Sequence, residues 1–284
     1  MEKATKRYAV VTGANKGIGF AAVKELASRG IMVVLTARDE KRGLQAVQKL
    51  KEFGYSDNVL FHQLDVADPA SIASLADFIK TKFGKLDILV NNAGVSGIII
   101  DDSAGPLVGP PSSWNIIQTY DLAEECLKIN YYGAKRTTEA LIPFLQLSES
   151  PRIVNVSSGA GKLKNISNEW SKGVLSGVES LTEEKVDEVL NKFLRDYKKE
   201  SPETKYAAYT VSKAAMNAYT RILSKRYPKF KINSVCPGYV KTDINRHTGN
   251  LTVEEGAASL VTLAMLPNDG PSGLFFARQE VSCF

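Results

Sequence analysis

The chain has 284 residues, of which 44% are hydrophobic and 24% are charged, and its formal net charge is +5. These proportions are ordinary for a globular protein and exclude both a disordered chain and a membrane-embedded one. No run approaches the ~20 apolar residues of a membrane-spanning helix, and the charged segment 1–7 lacks the apolar core of a secretory signal, so we expect a soluble, cytoplasmic protein.

Short runs rich in Val, Ile and Leu alternate with amphipathic stretches over the first two-thirds of the chain. The runs show no polar alternation, which is typical of parallel strands covered on both faces. The predicted strands are Tyr8–Val11, Met32–Leu35, Val59–His62, Ile88–Val90 and Ile153–Val156, and the predicted helices between them are Ile18–Arg29, Lys41–Phe53, Ser71–Phe83 and Leu122–Leu147. This order predicts a Rossmann-type α/β fold, with a doubly wound parallel sheet in a single domain spanning residues 1–284.

Local signals refine two of these helices. Asp68 before Pro69 is typical of an N-cap followed by the first helical position, and Pro143 is expected to kink or partly interrupt the long helix that contains it. Farther along the chain, the pattern predicts a helix over Tyr209–Tyr227 and a strand over Lys231–Cys236.

An insertion of about fifty residues, roughly 160–205, precedes the predicted helix at Tyr209. Within it, Leu181–Lys199 is predicted to be helical, with Thr182 near its N-cap. It has one apolar face, formed by Val186, Val189, Leu190, Phe193 and Leu194. The helix is too short to form a domain by itself, so we expect it to pack against the body of the protein.

A glycine-rich turn follows the first predicted strand and opens the first helix. Glycine permits a close approach of the backbone to a pyrophosphate, and the helix N-terminus presents free N–H groups and a positive dipole to it. The candidate cofactor-binding residues in this turn are Gly13, Asn15, Lys16, Gly17, Ile18 and Gly19. Because strand, turn and helix occur in the required order, the sequence predicts a dinucleotide site.

The choice of dinucleotide depends on charge at two positions. An acid at the end of the second strand would bind a ribose 2′-hydroxyl, whereas an arginine accommodates a 2′-phosphate. Arg38 ends that strand and Lys16 lies in the turn, so the predicted cofactor is NADPH. Asp39 follows directly, which leaves open that Arg38 is a surface residue paired with Asp39.

Five short motifs occur along nearly the whole chain. They are Thr12-Gly13 through Gly19, Asn91-Asn92-Ala93-Gly94, Ser157-Ser158, Tyr209-Thr210-Val211-Ser212-Lys213 and Pro237-Gly238. In their order and spacing they resemble the short-chain dehydrogenase/reductase family. The intervening residues resemble its plant group of menthone and neomenthol-forming reductases and salutaridine reductase, and are similar to the monomeric carbonyl reductases of animals.

The resemblance implies four catalytic residues. Tyr209 would donate a proton to a carbonyl oxygen, and Lys213, one helical turn later, would lower the pKa of Tyr209 by its positive charge. Ser158 would hydrogen-bond the substrate oxygen. Asn130 would anchor a water through which Lys213 is reprotonated. Alternatively, its amide would hydrogen-bond across a kink in the helix, and the two roles can coexist.

The resemblance also implies further cofactor contacts, to which Tyr209 and Lys213 contribute. Asp65 and Val66 would contact the adenine, although they could instead form only the turn that leads into the next helix. The other contacts implied are Asn91, Ala93, Gly94, Pro237, Gly238, Val240 and Thr242.

The function that we expect is NADPH-dependent reduction of a ketone or aldehyde on a lipophilic small molecule, of the monoterpenoid ketone or alkaloid class, to the alcohol. Reduction of an enone double bond and a catalytically silent NADPH-binding protein are the alternatives; a similar ene-reductase carries an acid in place of Tyr209, so the tyrosine favours carbonyl chemistry. Specificity should lie in loops at the carboxyl ends of the strands, over Val95–Trp114, Gly159–Trp170 and Tyr239–Thr252.

The sequence also predicts which bound groups and partners the protein lacks, and its oligomeric state. The three cysteines are far apart and form no C-x-x-C pair, and the two histidines form no H-E-x-x-H motif, so we expect no disulfide and no metal centre. Basic residues are mixed with acidic ones, so neither nucleic acid nor a membrane is an expected partner. The inserted helix would cover a surface that pairs subunits in many relatives, which predicts a monomer.

Overall fold

The computed structural model describes residues 6–101, 114–177, 179–200 and 207–284. Its main sheet has the strand order β3-β2-β1-β4-β7-β8-β9-β10 among these residues, with all neighbours parallel except the last pair. These strands are β1 (Tyr8–Val11), β2 (Met32–Ala37), β3 (Val59–Gln63), β4 (Ile88–Asn91), β7 (Arg152–Val156), β8 (Lys231–Cys236), β9 (Phe275–Ala277) and β10 (Glu280–Ser282). The prediction of a Rossmann-type, mostly parallel sheet is confirmed.

Most of the described helices begin and end near the predicted positions, but two of them, Glu169–Ser176 and Val253–Ala264, had not been predicted. The described helices are α1 (Gly17–Ser28), α2 (Glu40–Glu52), α3 (Pro69–Lys82), α4 (Tyr120–Leu127), α5 (Ala134–Leu145), α6 (Glu169–Ser176), α7 (Glu183–Lys199), α8 (Ala207–Arg226) and α9 (Val253–Ala264), and a small hairpin is formed by β5 (Ile99–Ile100) and β6 (Ile116–Ile117). Asp68 caps α3 through a hydrogen bond from the Ala70 amide, with Pro69 in the first turn, as predicted. Among the described residues, no helix is long and apolar enough to cross a membrane.

The sheet is covered on both faces, which explains its uninterrupted apolar strands. On one face, α1, α2 and α9 pack against strand residues such as Val11 and Val33. On the other, α3, α5 and α8 pack against the strands, which bury Val10, Val34 and Leu89, and α7 packs against α8. The chain reverses direction across the sheet between β1 and β4, and a crevice opens beside such a reversal at the carboxyl ends of the strands.

The predicted long helix 122–147 is interrupted at a different place from the one expected. Helix α5 continues through Pro143 to Leu145. The interruption is a π-helical turn, Lys128–Gly133, that contains Asn130. Such a turn accommodates one extra residue per turn and is common at functional sites, so tertiary packing rather than the proline sets the break.

The inserted helix α7 packs as predicted, with its apolar face in the core. Thr182 is its N-cap and accepts a hydrogen bond from the Lys185 amide. Charged groups also hold α7 in place, because Glu183 Oε2 lies 3.0 Å from Lys135 Nζ of α5 and Glu183 Oε1 lies 2.5 Å from Arg226 Nη1 of α8. Glu183 is buried, and pairing with two cations compensates its lost hydration. Of the predicted insertion, residues 178 and 201–206 lie outside the described residues.

Candidate active site

A cleft of about 1360 Å³ lies at the carboxyl ends of the parallel strands. Its walls come from the glycine turn, the ends of β2, β4 and β7, the start of α8, and the loop after β8. This is where ligands bind in open α/β sheets, and the volume exceeds that of a site for one drug-sized molecule. The cleft can therefore hold a dinucleotide together with a second small molecule.

The glycine turn presents backbone donors to this cleft. Gly13 and Gly17 have φ angles of +61° and +59°, a region that favours glycine. Lys16 is the N-cap of α1 but makes no side-chain cap hydrogen bond, and the first turn of α1 has no acidic residue. The first amides of α1 are therefore available to a phosphate. The six residues predicted in this turn all line the cleft: Gly13, Asn15, Lys16, Gly17, Ile18 and Gly19.

Two residues that sequence reasoning did not assign hold this turn in shape. Asn92 Nδ2 donates to the carbonyls of Thr12 and Gly13, at 2.8 and 3.0 Å, and the Thr12 hydroxyl accepts from the amides of Asn92 and Ala93. A Cβ on Gly19 would lie 2.5 Å from Asn92 Nδ2. The asparagine pair was visible in the sequence, but which member faces the turn depends on where β4 ends.

Asn91 is a correction to the predicted cofactor contacts. Its side chain is 3% exposed, and its amide donates to Thr138 Oγ1 at 2.9 Å and Asn155 Oδ1 at 2.8 Å. It therefore ties β4 to β7 and α5 inside the protein and does not line the cleft. Ala93 and Gly94 do line it, together with Asn92.

Charge at the β2 end of the cleft differs in part from the prediction. Arg38 and Arg42 both line the cleft, and Arg42 had not been assigned. Asp39 caps α2 by accepting a hydrogen bond from the Arg42 amide at 2.8 Å, so its carboxylate is engaged by the helix terminus. Lys16 also lines the cleft, and its ammonium donates a short hydrogen bond to Asp243.

Asp65 and Val66 lie in the cleft wall, and they also form the turn that leads into α3. Asp65 Oδ1 accepts from the Ala67 amide at 2.9 Å. A Cβ on Gly133 would lie 2.8 Å from Val66 Cγ2, so the π-helical turn packs directly on this residue. The two interpretations of the pair are compatible.

The structure brings Ser158, Tyr209 and Lys213 together at the base of the cleft. Tyr209 is half-buried on the first turn of α8, and its hydroxyl lies close to the Ser158 side chain. Lys213 is 4% exposed, and its ammonium lies 5.6 Å from the Tyr209 ring and donates to the Val156 carbonyl at 2.8 Å. Ser157 is directed elsewhere, because its hydroxyl donates to the Lys213 carbonyl.

The pKa values of the two ionisable groups are set first by burial. Burial raises the pKa of the Tyr209 hydroxyl above its usual range, and the Ser158 side chain opposes this. Burial also lowers the pKa of Lys213 to about 8, because an ammonium loses hydration in the interior. That Lys213 lowers the pKa of Tyr209 stays a prediction, because burial is the largest influence on Tyr209 in the protein alone.

The side chain of Asn130 is already fully engaged. Its Oδ1 accepts from the Val95 amide at 2.8 Å, and its Nδ2 donates to the Val95 carbonyl at 2.9 Å and to Ser212 Oγ at 3.0 Å. It therefore fastens the π-helical turn to the segment after β4 and to α8. Any water-anchoring role would have to use the main chain of Asn130.

The loop after β8 completes the cleft, and its predicted members Pro237, Gly238, Val240 and Thr242 all line it. The outer part has an apolar rim that includes Ile98, Trp114, Tyr239 and Ile244. Tyr239 and Ile244 are 40% and 42% exposed. These side chains come from two of the three segments predicted to set specificity; residues 102–113 of the first segment lie outside the described residues.

Comparison with known proteins identifies the family. Residues 7–191 match the family described as short chain dehydrogenase, and residues 193–269 match the one described as Enoyl-(Acyl carrier protein) reductase. The chain belongs to the short-chain dehydrogenase/reductase family. The resemblance seen in the sequence motifs is thereby confirmed, and the family is one of enzymes that bind a nicotinamide cofactor.

Individual relatives match nearly the whole chain. The (+)-neomenthol dehydrogenase of Arabidopsis thaliana is 60% identical over 296 residues, covering 100% of both proteins. The structure of salutaridine reductase from Papaver somniferum superposes with a TM-score of 0.89 at 54% identity, covering 96% of this chain and 99% of that one. Carbonyl reductase (NADPH) 3 of Mus musculus is 40% identical over 275 residues, covering 93% of this chain and 92% of that protein.

The residues present fit a nicotinamide dinucleotide. The uncapped N-terminus of α1 offers amides to a pyrophosphate, and Gly13 and Gly17 leave room for it. The cleft then runs to Tyr209 and Lys213, so the reactive end of a bound dinucleotide would lie near them.

Proposed function

We propose that this protein reduces a ketone or aldehyde on a lipophilic small molecule to the alcohol, with NADPH as the hydride donor. The observation that carries the proposal is the placement of Ser158, Tyr209 and the buried Lys213 together in the cleft, with the Lys213 ammonium 5.6 Å from the Tyr209 ring. The names of two relatives, a neomenthol dehydrogenase and a salutaridine reductase, support a monoterpenoid or alkaloid substrate. The apolar rim formed by Ile98, Trp114 and Ile244 suits such a molecule.

Each polar group would act on one atom in this reaction. Ser158 would donate a hydrogen bond to the carbonyl oxygen, and Tyr209 would transfer its proton to that oxygen as negative charge develops. Lys213, as an ammonium, would stabilise the resulting tyrosinate and return a proton to it. The nicotinamide, when bound, supplies the hydride to the carbonyl carbon.

Charge near the end of β2 supports NADPH rather than NADH. A free acid there would bind the ribose 2′-hydroxyl, but the Asp39 carboxylate is engaged as the N-cap of α2. Arg38 and Arg42 line the cleft beside it, and guanidinium groups bind phosphate well. One relative carries NADPH in its name.

A turnover assay tests the proposed function. Purified protein would be mixed with NADPH or NADH and with cyclic ketones, aldehydes and enones, and the products identified. We expect alcohol formation from a ketone or aldehyde, with higher kcat/KM for NADPH. Saturated ketones formed from enones would instead establish double-bond reduction, and NADPH binding without turnover of any carbonyl would establish the silent alternative.

The pH dependence of reduction should follow Lys213. Its ammonium is present below its pKa of about 8 and is lost as the pH rises through that value. We therefore expect kcat/KM for NADPH, measured at saturating ketone, to be flat from about pH 6 to 7.5 and to fall roughly tenfold per unit above pH 8.5, since this ratio reports the free protein. A profile that stays flat to pH 10 would exclude Lys213 as the source of the proton.

The packing of α7 supports a monomer. Its apolar face is buried against α4 and α8, and Glu183 pairs with a cation on α5 and with another on α8, so this surface is covered within the chain. We expect sedimentation equilibrium between about 1 and 100 µM to give 31.0 kDa throughout. A concentration-independent dimer or tetramer mass would contradict this.

We also propose that residues 1–284 form one domain in the cytoplasm. Both regions matched to the family contribute strands to the same sheet. Cys126, Cys236 and Cys283 are free thiols, which suits a reducing compartment. For a single domain we expect one cooperative unfolding transition. For a cytoplasmic protein we expect a diffuse cytosolic signal from a fluorescent fusion.

A further inference from the structure

Asp243 places a carboxylate on the cleft wall that faces the glycine turn. It begins the 3₁₀ turn Asp243–Asn245 after the loop from β8. Its Oδ2 accepts the hydrogen bond from Lys16, and its Oδ1 lies 2.8 Å from His247 Nε2. Lys16, Asp243 and His247 all line the cleft. The lysine that the sequence assigned to the cofactor is thus held by an acid from the opposite wall.

Local contacts keep Asp243 in this position. Thr242 and Asn245 form a reciprocal capping box around the turn, and Asn245 Nδ2 donates to the Val240 carbonyl at 2.8 Å. Arg246 and His247 follow with φ angles of +52° and +61°, a left-handed conformation that persists only where neighbouring contacts hold it. The loop is therefore constructed to present the carboxylate across the cleft.

We propose that Asp243 is a specificity-determining residue, whose carboxylate binds Lys16 in place of the 2′-phosphate of NADPH and so limits the preference for NADPH over NADH. The inference rests on the proposed NADPH-dependent function. Carboxylate and phosphate are both oxyanions that accept hydrogen bonds from an ammonium, and Asp243 neutralises part of the positive charge that Lys16 would otherwise offer to the phosphate. His247 remains beside Asp243 after the exchange.

The exchange should be modest in energy and therefore tune affinity rather than block binding. The side chains of Lys16 and Asp243 are 58% and 54% exposed, and ion pairs at such sites contribute little. Arg38 and Arg42 line the same cleft and make no ion pair with Asp243 in the described residues, so they would hold the 2′-phosphate without this competition.

Dissociation constants measured by fluorescence, without carbonyl substrate, test the proposal. We would compare NADPH and NADH binding to the full chain and to Asp243→Asn, Lys16→Met and the double variant. Asp243→Asn should lower the dissociation constant of NADPH roughly 2- to 5-fold, the range set by an exposed ion pair. The dissociation constant of NADH should change less. The double variant should bind NADPH no more tightly than Lys16→Met alone. Asp269→Asn, at an exposed acid away from the cleft, is the matched control and should change neither constant.

Three results would overturn the role of Asp243. The first is an NADPH affinity that is unchanged or weaker in Asp243→Asn, and the second is an equal gain in NADH affinity. The third is a gain in NADPH affinity that persists when Lys16 is also replaced, which would indicate that Asp243 repels the cofactor directly. Asp243→Ser, a second variant without the carboxylate, should give the same result as Asp243→Asn. Unchanged melting temperatures in all variants would show that the loop is not disturbed. Wild-type protein that binds neither dinucleotide would defeat the proposed function itself, whereas wild-type NADPH binding with an inert Asp243→Asn defeats only this inference.

Discussion

Replacing Tyr209 with phenylalanine should lower kcat for ketone reduction by about 10²- to 10⁴-fold, the usual contribution of a positioned general acid. The variant keeps the ring on α8 but removes the proton that would reach the carbonyl oxygen, while Ser158 still accepts a hydrogen bond from the Ala160 amide. The NADPH dissociation constant should change little, because the glycine turn and Arg38 are untouched. Single-turnover rates and fluorescence titration separate the two quantities.

The same helix offers a matched control in Tyr219. This side chain is fully buried, and its hydroxyl has no hydrogen-bond partner among the described residues. Removing an unpaired buried hydroxyl should be neutral or slightly stabilising, so Tyr219→Phe should retain wild-type turnover. Comparable losses in the two variants would show that the tyrosines support the fold of α8 rather than proton transfer.

Replacing Gly161 with alanine should impair both stability and turnover. An added Cβ would lie 2.6 Å from the main-chain carbon of Lys213 and 2.8 Å from the amide nitrogen of Ala214. The segment after β7 and helix α8 would have to separate, which costs about 1–3 kcal/mol of unfolding free energy when a packed interior is overfilled. A displacement on the order of 1 Å between Ser158 and Tyr209 would lower kcat/KM roughly 10²-fold.

Urea unfolding and steady-state kinetics measure these two effects, and Gly173→Ala provides the comparison. Gly173 lies inside α6, and an added Cβ there would meet no atom within 4 Å. Alanine should stabilise that helix by roughly 0.5–1 kcal/mol without changing turnover. If Gly161→Ala behaved like Gly173→Ala, the close packing of α8 on this segment would not govern the active site.

The strands and helices up to β4 could be predicted because their signals are local and repeated. Parallel strands buried on both faces read as continuous apolar runs, and Asp68 before Pro69 marks a helix start. Helix α9 was missed although Thr252 and Glu255 form a capping box that is visible in the sequence. Gly256 weakened its helical pattern, and the structure explains the glycine, since a Cβ there would lie 2.7 Å from Val240 Cγ2. The three-residue strands β9 and β10 are too short to produce a pattern.

Within the site, the sequence predicted most of the functional residues but did not predict several of the contacts that they make. The spacing of Tyr209 and Lys213 follows from helix geometry, and the phosphate turn follows from its glycines. The choice between Asn91 and Asn92 could not be read, because it depends on the residue at which β4 ends. The π-helical turn around Asn130 is equally a product of packing, since it forms where Val66 contacts Gly133.

Periodicity, capping residues and glycine positions were enough to establish the doubly wound fold and the place of the cofactor cleft, because they act over a few residues. The state of Lys16 and the pKa of Lys213 were decided only by tertiary structure. Lys16 meets Asp243 across 227 positions of chain, and Lys213 loses hydration because α8 is buried against β7. Ion pairing depends on the distance between charges in space and desolvation depends on burial, and neither can be predicted from the local sequence.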